Sequence, residues 1–317
     1  LPQQALQQLS RPDFSFSEIV ISEVAGPVKH WEIRAQSAVI EKTQGRLKFI
    51  SGTIFSKNRT VLTFQAPDAY TDLARSNFTL YTVTANAKEP VPDPWKIVSR
   101  VLRWNSRKEL FDAEGNVRIW NKTASFLADK LEGLISLQTF ALHSNVRAGF
   151  VAPSGDVRSA VSPDITMTCG TLLYDGELAY VTATGNISVH YGDIMSILCD
   201  QFGYDTRNSN SIARKGVVME YYPTRNSAPL TVKADMVSYN AETREFAIAG
   251  HVDISYNDIR SLSRAAYFYE DKNLLECSGN VRASQQDQKF TGEKIQVYLD
   301  TKKIVSAGRT KFIAPKN

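Results

Sequence analysis

The residues of this 317-residue chain that could do chemistry are few and scattered. Histidine occurs at His30, His143, His190 and His251, and no two have the spacing of metal ligands. His251 holds the place in its local pattern that Asn280 holds in another, so it reads as a turn residue. Asp129, Asp200 and Asp235 recur at similar positions. A ladder of carboxylates can bind metal or sugar, but such a ladder is more often the solvated end of strands. The three cysteines, Cys169, Cys199 and Cys277, are too few for a disulfide framework and read as small buried residues. Cys169 and Cys199 each precede a tyrosine, Tyr174 and Tyr204, by the same interval. They could pair on neighbouring strands, but not across an intervening one, because two strand spacings come to ~9.6 Å. Serine-nucleophile, phosphate-loop, H-E-x-x-H and C-x-x-C motifs are all missing. Glycosylation-type triplets at Asn58, Asn77, Asn121 and Asn186 arise easily in so Asn- and Thr-rich a sequence and carry no weight. The sequence implies no catalytic residue, no metal and no cofactor.

Composition narrows the class. The chain is 43% hydrophobic and 22% charged, as folded proteins are. The net charge is +4, and Lys and Arg alternate with Asp and Glu, so there is no stripe for nucleic acid. A mildly basic surface suits acidic lipid head groups or phosphates. No run approaches the ~18 apolar residues of a membrane span. The first residue is Leu1, which reads as a processed or trimmed product and leaves room for a signal peptide or anchor helix ahead of it.

The elements that position these residues are repeats. A small residue, often Gly then Asn or His, precedes alternating apolar residues at Gly115-Asn116-Val117, Gly185-Asn186-Ile187, Gly250-His251-Val252 and Gly279-Asn280-Val281. Looser copies begin at Gly52, Ala85, Ser144, Gly216 and Gly308. Neighbouring marks lie 29 to 34 residues apart, except for 41 between Ser144 and Gly185. Between them run alternating segments that end in aromatics and polar turns, such as Phe202-Gly203-Tyr204-Asp205 and Val237-Ser238-Tyr239-Asn240. Each period therefore reads as strand, turn, strand and Gly-marked turn, about nine times over. Leu1–Ser10 could form a short helix, and Phe126–Leu142 fits either helix or strand.

Alternation gives each strand one apolar face. Stacked repeats then bury a continuous apolar lining, which is either a filled core or a groove. Such a stack does not close on itself and leaves unpaired edges that invite strand addition. The long interval holds Pro153, Ser154, Gly155 and Pro163, which read as a connection, and a stiff loop is expected at Glu89–Pro94.

The stretch Cys277-Ser278-Gly279-Asn280-Val281, followed by Gly292-Glu293-Lys294-Ile295 and Ser306-Ala307-Gly308, resembles the OstA-type domain of LptA, a periplasmic lipopolysaccharide-transport protein. The first half resembles LptC, LptA's partner at the inner membrane. The residues that carry this likeness are Trp31-Glu32-Ile33-Arg34-Ala35, Ser51-Gly52-Thr53-Ile54, Trp104 and Gly115-Asn116-Val117. The domain expectation is an extension or helix over 1–14, an LptC-like β domain over 15–150 and an OstA-like β domain over 151–317. The fold class expected is all-β: an elongated open β-jellyroll, or β-taco, of about 16–20 mostly antiparallel strands in tandem two-strand repeats.

The resemblance implies a groove that holds lipopolysaccharide acyl chains while the sugars stay in water. It also implies head-to-tail assembly, with itself or with partners, into a bridge between the membranes. The location implied is periplasmic, with anchorage to the inner membrane through a segment outside this chain. By their shared parity after the mark, Val117, Ile119, Ile187, Val189, Val252, Ile254 and Val281 are the expected lining. Val237, Tyr239, Tyr267 and Tyr269 are expected to join them. Two rivals remain at this point: a polysaccharide-active β-helix enzyme, which needs a cluster of carboxylates or basic residues on one outer face, and a structural surface solenoid with a packed core.

Overall fold

The computed structural model describes residues 14–313 except 26–27, 57–58, 75, 89–92, 109, 152–164, 224–226 and 287. The helix expected over Leu1–Ser10, most of the stiff loop and the Pro/Ser/Gly-rich connection lie outside the described residues. Those described form nineteen strands, within the expected range, and one short 3-10 turn at Glu270–Lys272. Phe126–Leu142, which fitted either helix or strand, is strand, turn and strand.

Compactness separates two units, 1–121 with 129–140 and 122–128 with 141–317. The first carries β1 (Phe14–Ala25), β2 (Val28–Glu41), β3 (Gln44–Ser56), β4 (Arg59–Asp72), β5 (Asn77–Ala87), β6 (Lys96–Asn105) and β7 (Leu110–Trp120). β8 (Ala124–Leu134) and β9 (Thr139–Phe150) contribute to both. The second carries β10 (Ile165–Asp175), β11 (Tyr180–Tyr191), β12 (Met195–Asp205), β13 (Ser211–Tyr221), β14 (Leu230–Asn240), β15 (Glu245–Tyr256), β16 (Ile259–Tyr269), β17 (Leu274–Gln285), β18 (Gln288–Tyr298) and β19 (Lys303–Ile313). From β1 to β7, and again from β10 to β19, each strand pairs antiparallel with the next in sequence. The fold is an all-β antiparallel meander.

All nine Gly-type marks fall inside odd-numbered strands, one per strand from β3 to β19, so the two-strand repeat is real. Their expected role as turns between strands is corrected. Gly115-Asn116, Gly185-Asn186, Gly250-His251 and Gly279-Asn280 sit mid-strand, and both residues of each pair have positive φ. The pairing slips there, as between Thr184 and Ile187 in β11. Each mark is a bulge that inserts unpaired residues and bends the strand. The looser marks Gly52 and Ala85 are different: they are buried, and the positive φ lies three residues earlier, at Phe49 and Thr82. The real turns are the Asp- and Asn-led ones. Asp175, Asp205 and Asn240 each accept backbone N–H bonds through Oδ1 at 2.9–3.2 Å, the Asx geometry their sequence suggests.

The bends fold strands back on themselves. Val181, Tyr204 and Ser211 lie in one cross-strand row. Tyr191 is ten residues beyond Val181 on β11, ~33 Å away if the strand ran straight. Its hydroxyl nevertheless donates to Ser211 Oγ at 2.8 Å. The two halves of β11 must therefore face each other across the interior. The first unit does the same: Trp31 and Ile40 lie nine residues apart on β2, yet the Trp31 ring is 4.9 Å from Phe78, which lies in the row of Ile40.

Glycine has two distinct uses here. Gly52 lies opposite Phe64, and any Cβ would fall 2.0 Å from the Phe64 ring. Gly250 has φ +75°, and a Cβ there would fall 2.8 Å from Asp235 Cβ, whereas Gly185 (φ +82°) meets nothing closer than 3.8 Å. Gly185→Ala should cost about 1–2 kcal/mol, the left-handed backbone penalty alone. Gly250→Ala should cost more, because Asp235 must also move. Urea unfolding midpoints of the two variants test this order; equal midpoints would contradict it.

Candidate functional site

The interior is built row by row. In the second unit one row runs Met167, Val189, Ile197, Met219, Val232, Ile254, Ser261, Ala283, Phe290 and Phe312, each the partner of the next. Ser261 is its one polar member. On the other side of the bends a second row runs Leu172, Ala183, Phe202, Ala213, Val237, Ile248, Ala266, Cys277 and Ile295. The first unit has the matching row Ile33, Gly52, Phe64, Ala85, Ile97 and Ile119. Phe64 and Phe202 face only alanine or glycine along these rows, which leaves room for their rings.

Of the eleven residues expected to line a groove, eight are buried in the interior at 2% exposure or less: Val117, Ile119, Ile187, Val189, Val237, Val252, Ile254 and Val281. Val189 and Ile254 share one row. Tyr239 also faces in; it is half-buried, with its ring 4.5 Å from Phe246 and 6.3 Å from Tyr191. Tyr267 and Tyr269 do not face in. They stack on each other at 6.4 Å on the outer face, Tyr267 is 45% exposed, and the Lys272 amine lies over the Tyr269 ring. The cause is the slip between Leu262 and Ala265, which flips the parity of β16 so that Ala266 and Phe268 point inward.

At the strand ends opposite the bends the interior is edged by aromatics that periodicity did not pick out. β7, β9, β11, β13 and β15 end in Trp120, Phe150, Tyr191, Tyr221 and Tyr256. In the second unit three of these reach the opposite half. Phe150 packs 5.0 Å from Tyr204, Tyr191 bonds to Ser211, and Tyr221 packs 5.0 Å from Phe268. The Tyr221 hydroxyl donates to Glu270 Oε1 at 3.0 Å, while Arg244 holds the same carboxylate at 2.9 Å. Aromatics at the ends of five successive odd-numbered strands are the trace this leaves in the sequence. Burial pushes the Tyr191 and Tyr221 phenols well above their usual range, and the Glu270 carboxylate adds to this at Tyr221.

The outer face is polar and paired. Asp253 takes two bonds from Arg260, which lower its carboxyl. Glu276 is held low by Lys294. In the first unit Arg103 grips Asp112 and Glu114. Such exposed pairs each contribute little, about 0–1 kcal/mol. Asp200 and Asp235 sit at bends of β12 and β14 with β13 between them, ~9.6 Å apart by strand spacing. Asp235 instead meets His251 at 2.8 Å. No group of three or more His, Cys, Asp or Glu among the described residues could hold a metal, and no described helix is long and apolar enough to cross a membrane.

The cysteines are buried and free. Cys199 pairs with Ile187 on β11, the strand that separates it from Cys169 on β10, so the two cannot bond. Burial pushes the Cys169 thiol up to about 12, and Cys199 and Cys277 to about 11.

No protein-family model matches the chain, and no curated protein does. Among solved structures it is similar to LptH of Pseudomonas aeruginosa, described as the LptA homologous periplasmic component of the lipopolysaccharide transport device. The likeness has 10% identity and a TM-score of 0.25, and covers 48% of this chain and 95% of that one. The fold assignment here rests on the strand pairing itself.

The raised thiols set a pH dependence. The folded state keeps protons that the unfolded chain releases above about pH 8.5, so the unfolded state binds fewer protons there and stability falls. The stabilisation is complete below that pH and is lost progressively as pH rises through the folded values near 11–12. The urea midpoint should drop between pH 8 and pH 10.5; a midpoint that holds or rises would contradict the burial of the three thiols.

Proposed function

We propose that this protein is a non-enzymatic carrier of lipopolysaccharide in the periplasm, holding acyl chains on its inner face and passing them toward the outer membrane. The observation that carries this reading is the long apolar row, interrupted only by Ser261. Within each unit such rows are buried through the middle strands and emerge at β19 in the second unit and at β1 in the first. In the second unit Ala283 is 4% exposed, Phe290 is half-buried and Phe312 is 53% exposed. In the first unit, Phe14 and Phe16 on β1 continue the rows of Ile40 and Ala38 and are 60% and 41% exposed.

A strand array with its apolar face exposed at an unpaired edge is suited to extension by another strand array. Copies of the chain, or partners at the inner and outer membranes, would prolong the row there. In this reading residues 15–150 act as the LptC-like half and 151–317 as the OstA-like half, and anchorage comes from a segment outside this chain. The energetics suit the task. A twelve-carbon chain exposed to water costs about 10 kcal/mol at about 0.8 kcal/mol per methylene. Sites of similar character at every strand replace that exposure without a trap, and no reaction is required.

One observation favours a second reading, a structural solenoid. Lining residues such as Val189 and Ile119 are 0% exposed, so the interior is filled by the protein's own side chains. The carrier reading requires these side chains to move aside as the halves part.

Photo-crosslinkers separate the two readings. Placed at Val189 and Ile254 they should capture lipopolysaccharide, and placed at Ser188 and Asp253 they should not. Capture only from Ser188 and Asp253 would reverse the facing, and no capture from any position would favour the solenoid. Light scattering at rising concentration should show particles growing in length; a monomer throughout would count against edge-to-edge extension.

A further inference from the structure

The seam opposite the bends in the second unit is closed by a small number of side chains. Resting on the carrier reading, we infer that acyl chains enter this unit sideways, through the seam, by release of two tyrosine bolts. Tyr191 and Tyr221 stand at the ends of β11 and β13 on one half. Their acceptors, Ser211 Oγ at 2.8 Å and Glu270 Oε1 at 3.0 Å, stand on the other half. Each phenol spans the mouth, and each ring packs on the opposite half as it does so: Tyr191 on Tyr239, and Tyr221 on Phe246 and Phe268.

The chemistry of these bolts differs from that of the interior behind them. The rows within are held by dispersion between apolar groups, which an acyl chain replaces like for like. A tyrosine–carboxylate bond at the rim is directional and can be exchanged for water once the mouth parts. Glu270 is set for that exchange. Arg244 and the Tyr239 hydroxyl also reach its carboxylate from its own half, so it stays partnered when Tyr221 leaves. The sugar-bearing end of an amphiphile cannot pass along a filled apolar interior, so admission along the seam lets its head group remain in water throughout.

The native cysteines report on the seam without any lipid. Cys169, Cys199 and Cys277 are all buried in the interior, and a thiol reagent reaches them only when the halves part. In the full chain, Tyr191→Phe and Tyr221→Phe keep the rings and delete one bolt each. Either change should speed labelling about fivefold, the factor one ordinary hydrogen bond supplies, and the pair together should speed it further. The acceleration should persist in the absence of urea and depend on urea only weakly, as partial opening does.

Tyr267→Phe is the control. Its ring stands on the outer face, 45% exposed and stacked on Tyr269, away from the mouth, so labelling should stay at the wild-type rate. If Tyr191→Phe and Tyr221→Phe label no faster than wild type, or Tyr267→Phe accelerates labelling equally, the inference is overturned. A fluorescent fatty acid supplies the second measurement, and its association should quicken in the same two variants. Faster labelling with no fatty-acid binding in any variant would leave the bolts standing and contradict the carrier reading.

Discussion

A β-strand that is apolar on one face must cover that face, and in this protein bent strands cover it with their own other halves. What makes this possible is the positive-φ pair in the middle of β7, β9, β11, β13, β15 and β17. Gly185 and Asn186 both adopt a left-handed backbone, which glycine takes freely and asparagine tolerates better than most residues. The bulge there lets about eleven residues make two facing segments instead of one straight rod. The rows of Val189 and Ala183, the rim at Tyr191 and the polar outer surface all follow from that bend. Without it Tyr191 could not reach Ser211, and the apolar face would lie open to water.

The same device explains the distribution of exposure along the array. Interior strands have neighbours on both sides and a facing half, so their apolar residues are covered from three directions. Among the described residues, β1 pairs with β2 and β19 with β18, each on one side. Phe14 and Phe16 in the first unit and Phe312 in the second are therefore exposed although they continue buried rows. An exposed apolar edge with unpaired backbone is costly to leave bare. The proposed extension by copies or partners would cover it, and would carry the apolar row from one chain to the next.

Much of the fold was legible in the sequence because alternation of period two and a repeat near 30 residues leave marks that chance rarely produces. The two-strand repeat, the Asx turns at Asp175, Asp205 and Asn240, and the inward parity of Val117, Ile187 and Val252 could all be read. The bend could not be told from a turn, since Gly-Asn serves both. The segment that ends in Tyr267 and Tyr269 resembles the one that ends in Tyr239, but the slip between Leu262 and Ala265 turns Ala266 and Phe268 inward and leaves the two tyrosines outside. The looser marks misled in another way: Gly52 is small because Phe64 fills its place, not because the chain turns there. The rim aromatics went unread because each stands at a strand end, where alternation stops being informative and only contact across the seam reveals the role.

The central claim is that the inner rows meet lipid. The most direct measurement is magnetisation transfer by NMR between methyl groups of the otherwise deuterated protein and the acyl methylenes of bound lipopolysaccharide. Transfer is predicted at Val189, Ile197, Ile254 and Met219, which share one inner row. Transfer confined to the outward Leu198 and Leu262, which are 51% and 39% exposed, or transfer to no methyl at all, would contradict the account.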